Sequence, residues 1–350
     1  MKTICQSLVF TFAFQFVALI CHGQYYFRHY QVDNGLVYNA VSCIMQDSRG
    51  FMWIGTRGGL NRFDGTNFKT FLNKNNQFES ISDNIITALA EDKNGMIWIG
   101  TAKGIFELDP YKGRLTDVQI KPRGYVNHLV IDNYNNLWFV SNHSLYKYNQ
   151  QKNQVEKTNI QASYISKGYH KNLWIGKDNG TVGLYNTQEK KLKSVRIVSN
   201  EAPLDQRSIS KIYPINDSLV LIGCFSRGLK LYNGNSGIIS SLPLESPENN
   251  SIYIRDITAG DSNKFWVATE SGIYIYDLST NKSIHLKKEQ VIHILLLTML
   301  FTPYAKTDRK VCGSAPISVD YNIIQRKMHV LKNIIQSRMP ILFQEMPLGK

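Results

Sequence analysis

The residue types that most often perform chemistry form no catalytic or metal-binding pattern in this sequence. The eight histidines show none of the short spacings that place two ligands on one metal ion. No Gly-x-Ser-x-Gly elbow is present, and Gly55-Thr56-Arg57-Gly58-Gly59 lacks the Lys-Ser/Thr that completes a phosphate loop. The sequence therefore predicts no catalytic residue, no metal ion and no cofactor.

The five cysteines also fail to form a disulfide framework. Cys5 and Cys21 lie in an apolar N-terminal segment, and Cys43, Cys224 and Cys312 are widely separated. Because Cys43 and Cys224 fall in strand-like runs, we interpret them as small buried hydrophobic residues rather than redox or metal-binding groups.

The net charge of +13 is spread too widely to predict a nucleic-acid-binding surface. Residues 291–350 carry +5 and residues 24–290 carry +7, with no basic run in that region longer than the pair Lys190-Lys191. A diffuse positive charge indicates a solvated surface that favours anionic ligands. We expect no nucleic-acid partner.

The N-terminus has the pattern of a secretory signal peptide. Lys2 precedes an apolar run from Leu8 to Ile20, which is too short to span a membrane. Cleavage after Cys21-His22-Gly23 would leave Gln24 first and a periplasmic protein. Lipidation of Cys21 is the alternative, disfavoured by the bulky Ile20.

A repeat with intervals of 36 to 47 residues dominates residues 24–290. Each repeat is anchored on a strand of the type Trp-Ile-Gly-Thr, and the anchors are Trp53, Trp98, Trp138, Trp174, Leu221 and Trp266. An alternating strand and a turn such as Asp47-Ser48-Arg49-Gly50 come before the anchor. A glycine turn and two further strands come after it.

Four strands in about 40 residues are typical of a β-propeller blade. We therefore predict an all-β fold with six recognisable four-stranded blades of a seven-bladed ring. The anchor tryptophans would fill the wedge between neighbouring blades, and the small residue at the position of Gly55, Gly100 and Ala268 would permit close approach.

The segment from Asn39 to Gly65, with Asp47-x-x-Gly50-x-x-Trp53-Ile54-Gly55-Thr56, resembles the two-component regulator propeller repeat. The resemblance covers about residues 26–288. It implies the periplasmic sensor of a hybrid two-component system that detects glycan fragments and regulates polysaccharide utilisation. It also implies an oligosaccharide ligand and, in the intact receptor, a homodimer. The kinase and output domains of that family and its membrane span are not recognisable in this sequence.

Any ligand would bind loops at one propeller face, where the turn after each anchor strand meets the connections between blades. The candidate residues at these positions are Arg57, Lys103, Lys177, Arg227 and Glu270, together with Asn39 and Asn84 before the first strands of their blades. Solvated turn residues are the alternative interpretation for each of them.

Two other classes of function remain open. A propeller glycosidase or lyase would gather arginines around the channel, but the sequence does not bring Arg57, Arg62, Arg207 and Arg227 together. The other alternative is a stand-alone interaction scaffold. An incomplete ring would expose strand edges, so we expect poor solubility or completion by oligomerisation.

The repeat disappears in a tail over residues 291–350. A capping segment with an amphipathic helix around residues 322–337 is the simpler interpretation. We predict instead a frameshift near residue 290 that ended a longer sensor gene early, because codons for residues 310–316 could spell Gly-Val-Trp-Ile-Gly-Thr in another frame. Sequencing the gene distinguishes the two.

Overall fold

The structure, a computed structural model, describes residues 30–71, 85–121, 123–244 and 252–287. These residues form six antiparallel sheets, each with four strands in chain order, and each sheet is one blade. The all-β fold with six blades is therefore confirmed, and the described residues form no seventh blade. The expected signal peptide (1–23) and the tail (291–350) lie outside the described residues.

The twenty-four strands are four to eight residues long. Blades 1 and 2 comprise β1 (Val41–Gln46), β2 (Met52–Thr56), β3 (Leu60–Phe63), β4 (Phe68–Phe71), β5 (Ile86–Glu91), β6 (Ile97–Thr101), β7 (Ile105–Asp109) and β8 (Arg114–Asp117). Blades 3 and 4 comprise β9 (Val126–Ile131), β10 (Leu137–Ser141), β11 (Ser144–Asn149), β12 (Gln154–Gln161), β13 (Tyr164–Lys167), β14 (Asn172–Gly176), β15 (Thr181–Asn186) and β16 (Lys191–Arg196). Blades 5 and 6 comprise β17 (Ile209–Pro214), β18 (Leu219–Cys224), β19 (Gly228–Asn233), β20 (Ile239–Leu242), β21 (Ile254–Ala259), β22 (Lys264–Thr269), β23 (Gly272–Asp277) and β24 (Lys282–Lys287).

Two 3₁₀ helices of three residues, Val32–Asn34 and Leu204–Gln206, accompany the strands. No helix in the described ranges has the length and apolar character needed to cross a lipid bilayer.

A buried aspartate fixes the turn between the first two strands of blade 1. Asp47 Oδ1 accepts hydrogen bonds from the backbone N–H groups of Arg49 and Phe51, at 3.0 and 2.9 Å. Asp47 Oδ2 accepts the indole N–H of Trp53 at 2.9 Å. One carboxylate therefore closes the turn and also orients the anchor tryptophan.

The same arrangement recurs in blades 2 and 3. Asp92 accepts the indole N–H of Trp98 at 3.2 Å, and Asp132 accepts that of Trp138 at 2.8 Å. In blades 4, 5 and 6 the equivalent position, six residues before the anchor, holds Gly168, Ile215 and Gly260. The aspartate is therefore a feature of the first three blades.

The hydrophobic core lies between the blades rather than within a single sheet. Five clusters of buried residues each join one blade to the next along the chain. Three anchors, Trp98, Trp138 and Trp174, contact a tyrosine on the third strand of the following blade edge to face, at centroid distances of 5.8, 5.8 and 6.3 Å. These three tryptophans therefore pack between neighbouring blades.

The small residue after the anchor permits the blades to approach closely. A Cβ atom at Gly55 would lie 2.6 Å from Ile86 Cγ2 of blade 2, and one at Gly223 would lie 2.6 Å from Ile254 Cγ2 of blade 6. Real Cβ contacts are longer, so a larger residue at these positions would push neighbouring blades apart.

A β-bulge interrupts the first strand in five of the six blades, at Ser42, Thr87, Asn127, Ser210 and Arg255. Three of these side chains reach the next blade. Ser42 Oγ donates to the carbonyl of Ile86, Thr87 Oγ1 to that of Val126 at 2.5 Å, and Ser210 Oγ to that of Ile254 at 2.6 Å. The bulges therefore link the first strands of successive blades.

Replacing Asp92 with alanine tests the role of the turn carboxylate. The substitution leaves the Trp98 indole N–H and two turn N–H groups without their acceptor, so we expect a loss of about 2–3 kcal/mol in the free energy of unfolding. Denaturant titration measures the loss. Asp261→Ala, at an exposed aspartate in the corresponding turn of blade 6, is the control and should change stability by less than about 0.5 kcal/mol. Equal stability of the two variants would contradict this role.

Candidate functional site

The first strands of all six blades surround a central channel. Its cavity has a volume of about 470 Å³ and is lined by residues of β1, β5, β9, β13, β17 and β21 or the residues just before them. The side chains that project from these strands therefore determine what the channel can bind.

One position of the repeat places a residue of every blade in the channel lining. In every blade this residue lies ten positions before the anchor and pairs with the residue two positions after the anchor. The six residues at this position are Cys43, Ala88, His128, Tyr164, Lys211 and Asp256, and all of them line the channel. Blades 1 and 2 therefore contribute small residues, and blades 3 to 6 contribute a polar group each.

Lys211 and Asp256 form an ion pair between blades 5 and 6. Lys211 Nζ lies 2.6 Å from Asp256 Oδ1, and each side chain is 16% exposed. Tyr164 of blade 4 is also hydrogen-bonded to Lys211. Burial acts to lower the pKa of Lys211, but the attraction of Asp256 and Tyr164 outweighs it, so the pKa is raised and the amine stays charged.

This ion pair fixes the arrangement of the channel side chains more than it stabilises the fold. Removing two charges from water costs several kcal/mol, which their attraction roughly offsets. Removing one partner would leave the other charge buried without compensation. The pair therefore fixes how blades 4, 5 and 6 present their polar groups to the channel.

His128 contributes a neutral imidazole to the same level of the channel. Its ring packs edge to face on Tyr164, with the centroids 4.4 Å apart. Burial, and secondarily the charge of Lys211, lowers the pKa of His128 to about 3. At neutral pH the imidazole can therefore both donate and accept a hydrogen bond.

Charged side chains in the channel are mainly cationic. Lys167, Lys211 and Arg255 line it together with a single carboxylate, that of Asp256. These cations lie at different depths of the channel. Arg255 is the second residue of β21, Lys211 is the third residue of β17, and Lys167 is the last residue of β13. The channel therefore has an electrostatic preference for anionic groups.

Aromatic rings surround the end of the channel at which the first strands begin, called here the top face. Tyr125 and Tyr253, each just before a first strand, line the cavity. Tyr253 packs on Phe225 with the centroids 4.4 Å apart, and the guanidinium of Arg255 lies 4.1 Å from the Tyr253 centroid. The top face thus offers flat apolar surfaces next to a cation.

The structure places the predicted turn residues on this top face. The turn after each second strand lies beside the start of a first strand, as the 3.0 Å hydrogen bond from Arg57 N to the carbonyl of Ala40 shows. The turn candidates Arg57, Lys103, Arg227 and Glu270 are exposed, and Lys177 is half-buried. These turns therefore lie at the same end of the channel, while a ligand-binding role for them stays a prediction.

The side chains of three candidates, Glu270, Arg227 and Asn39, contact neighbouring residues. Glu270 Oε1 lies 2.5 Å from Arg255 Nη2, so it contacts the channel lining. Arg227 donates to Gln206 at 2.9 Å. Asn39 Oδ1 accepts the backbone N–H of Val32 at 3.0 Å, which gives this side chain a structural contact. Asn84 lies outside the described residues.

The sequence-based candidates did not include His128, Tyr164, Lys211 or Asp256. A signal for them was present, because alignment of the repeats on the anchors places all four in one column, ten residues before the anchor. The same column holds the small residues Cys43 and Ala88 in the first two blades. The change to large polar residues in the other four blades is the signal that the sequence offered.

No group of three or more His, Cys, Asp or Glu side chains in the described ranges is placed to hold a metal ion. Cys43 and Cys224 are free thiols and both are buried, and burial raises the pKa of Cys224 to about 12. Their interpretation as small buried hydrophobic residues is confirmed. The described channel residues can form ion pairs, hydrogen bonds and aromatic stacking contacts.

Comparison with known proteins agrees with the repeat pattern. The family profile described as two-component regulator propeller matches residues 35–58 and 80–103, which confirms the resemblance of these units. A histidine kinase of Formosa agariphila is 36% identical over 83 residues, which are 23% of this chain and 6% of the kinase. The chain thus matches only a small part of this curated relative.

Solved structures show the same fold. The extracellular domain of a hybrid two-component system of B. thetaiotaomicron superposes with a TM-score of 0.64 at 24% identity, covering 75% of this chain and 37% of that one. A virginiamycin B lyase of Staphylococcus aureus superposes with a TM-score of 0.54 at 17% identity, covering 66% of this chain and 77% of the lyase. At these identities the similarity shows a shared propeller fold.

The lowered pKa of His128 predicts a specific pH dependence of stability. Because the unfolded chain takes up the proton near pH 6.5 and the folded chain only near pH 3, the folded state loses stability as the pH falls through this window. Between pH 7 and 5 we expect the free energy of unfolding to fall less in His128→Gln than in the wild type. The difference between the two slopes should reach at most about 1.4 kcal/mol per pH unit.

Denaturant unfolding at several pH values measures this difference. His170→Gln, at an exposed histidine, controls for the loss of an imidazole elsewhere in the chain. Parallel stability curves for the wild type and His128→Gln would show that the imidazole is not held neutral.

Proposed function

We propose that this chain is the ligand-sensing propeller of a two-component receptor and that it binds a glycan fragment in its central channel. The match to two-component regulator propeller repeats supports the receptor assignment. The observation that carries the binding site is the column of polar residues contributed by blades 3 to 6 to one level of the channel.

The chemistry of the channel suits an oligosaccharide with acidic groups. Sugar rings present apolar faces that stack on aromatic side chains, and Tyr125 and Tyr253 stand at the top of the channel. Sugar hydroxyls can use the neutral imidazole of His128 as donor and acceptor. Carboxylate or sulfate groups would pair with Arg255 and Lys167.

The proposal places the chain in the periplasm and assigns signal output to protein outside these blades. Ligand binding would be passed to a kinase through a dimer of such sensors. The described residues, six β-sheets and two short 3₁₀ helices, would supply the sensing part of such a receptor.

A propeller lyase is the enzymatic alternative, and a stand-alone scaffold is the other. The fold shared with the virginiamycin B lyase does not transfer catalytic residues to this chain, because unrelated functions recur on one propeller architecture. The polar channel favours small-molecule binding over a purely structural scaffold.

Calorimetric titration of the full chain with neutral, uronic-acid-containing and sulfated oligosaccharides tests the proposal. We expect saturable binding of an acidic oligosaccharide, weakened about tenfold or more by Arg255→Gln, which removes a charge-assisted contact. Arg114→Gln is the matched control because Arg114 is exposed on an outer strand of blade 2. The proposal fails if no oligosaccharide binds or if the two variants bind equally well.

A further inference from the structure

A second cavity lies between blades 4 and 5, away from the channel. It has a volume of about 220 Å³ and is lined by strands β14, β15 and β16 of blade 4 and by two turns and β19 of blade 5. None of the residues that line the central channel contributes to it. We call it the interblade cavity.

The interblade cavity contains an anchor tryptophan whose usual hydrogen bond is missing. In blades 1 to 3 the anchor indole N–H donates to the turn aspartate. In blade 4 the aspartate is replaced by Gly168, and the indole N–H of Trp174 has no acceptor among the described residues. Trp174 is only 3% exposed and it lines the cavity.

An indole N–H without a protein acceptor can donate to a ligand that enters the cavity, and a typical hydrogen bond of this kind contributes about 0.5–1.5 kcal/mol. The indoles of Trp53, Trp98 and Trp138 cannot offer this interaction, because each N–H group already donates to its turn aspartate. The loss of one aspartate has therefore left a donor available to a ligand at this single junction.

The remaining walls combine apolar and polar surface in the way that a sugar ring requires. Leu184, Val195 and Tyr232 are half-buried beside Trp174, and Tyr232 packs edge to face on it with the centroids 6.3 Å apart. Lys193, Asp217 and Asn235 are exposed at the rim. One cation and one anion at the rim leave the cavity with no net preference for charge.

We infer that the interblade cavity binds one neutral pyranose unit, with a ring hydroxyl accepting the indole N–H of Trp174. A hydroxyl both donates and accepts, so sugar hydroxyls can accept from the Trp174 indole and donate to Asp217, whose Oδ2 also lies 3.2 Å from His170 Nε2. The cavity is smaller than the roughly 300–1,000 Å³ of drug-sized pockets, which limits the occupant to about a single ring. The inference is independent of the proposed channel ligand.

Indole N–H resonances of the full chain, labelled with ¹⁵N-tryptophan, test this inference. The chain has five tryptophans, and Trp174→Phe assigns the resonance of interest. The probes are methyl glycosides of glucose, galactose and mannose at concentrations up to about 50 mM, since binding of one ring is expected in the millimolar range. We expect a saturable shift of the Trp174 resonance while those of Trp53, Trp98 and Trp138 stay unchanged.

Two variants separate this site from the channel. Asn235→Ala, at the rim, should weaken the shift of the Trp174 resonance about fivefold, since it removes one hydrogen bond. Arg255→Gln, in the channel, should leave it unchanged. The inference is overturned if no probe moves the Trp174 resonance, which would mean that the cavity holds water only. Equal shifts of all the indole resonances, or full binding by Asn235→Ala, would also overturn it.

Discussion

The close approach of successive blades near the channel is the constraint on which the rest of the structure depends. At each of the first, second, fourth and fifth junctions a glycine of one anchor strand faces a β-branched residue of the next first strand, with no room for a Cβ atom or at most a tight fit. Bulge hydroxyls from Ser42, Thr87 and Ser210 cross three junctions to a backbone carbonyl. Because this geometry repeats, the residue ten positions before the anchor has an equivalent place in every blade, and the six such residues line one channel.

Both candidate sites arise where single blades depart from the repeat. The column that holds Cys43 and Ala88 in the first two blades holds His128, Tyr164, Lys211 and Asp256 in the others, and this substitution changes an apolar wall into a polar one. The turn aspartate of blades 1 to 3 is lost in blade 4, where Gly168 leaves the indole of Trp174 without its carboxylate. The later blades match the repeat pattern less closely, and the same departures from the pattern introduce the polar groups that could bind a ligand.

The repeat predicted the fold well because each element of a blade has a local sequence cause. Turn residues such as Asp47 and Gly50, alternating strands and the anchor Trp53 are readable without tertiary information. The site was harder to predict because candidates were sought among exposed turn residues such as Arg57 and Lys103. The channel residues lie inside strands, and their orientation depends on a bulge that moves the strand register. Contacts such as that of Lys211 with Asp256 join residues 45 positions apart and follow from the packing of two blades.

Hydrogen–deuterium exchange with and without the acidic oligosaccharide tests the central claim that the channel is the sensing site. The account predicts that ligand slows exchange in the first strands of blades 4 to 6, namely β13, β17 and β21, and leaves the outer strands β4 and β8 unchanged. Slower exchange confined to the outer strands, or none in β17 and β21, would contradict a ligand bound among Lys211, Asp256 and Arg255.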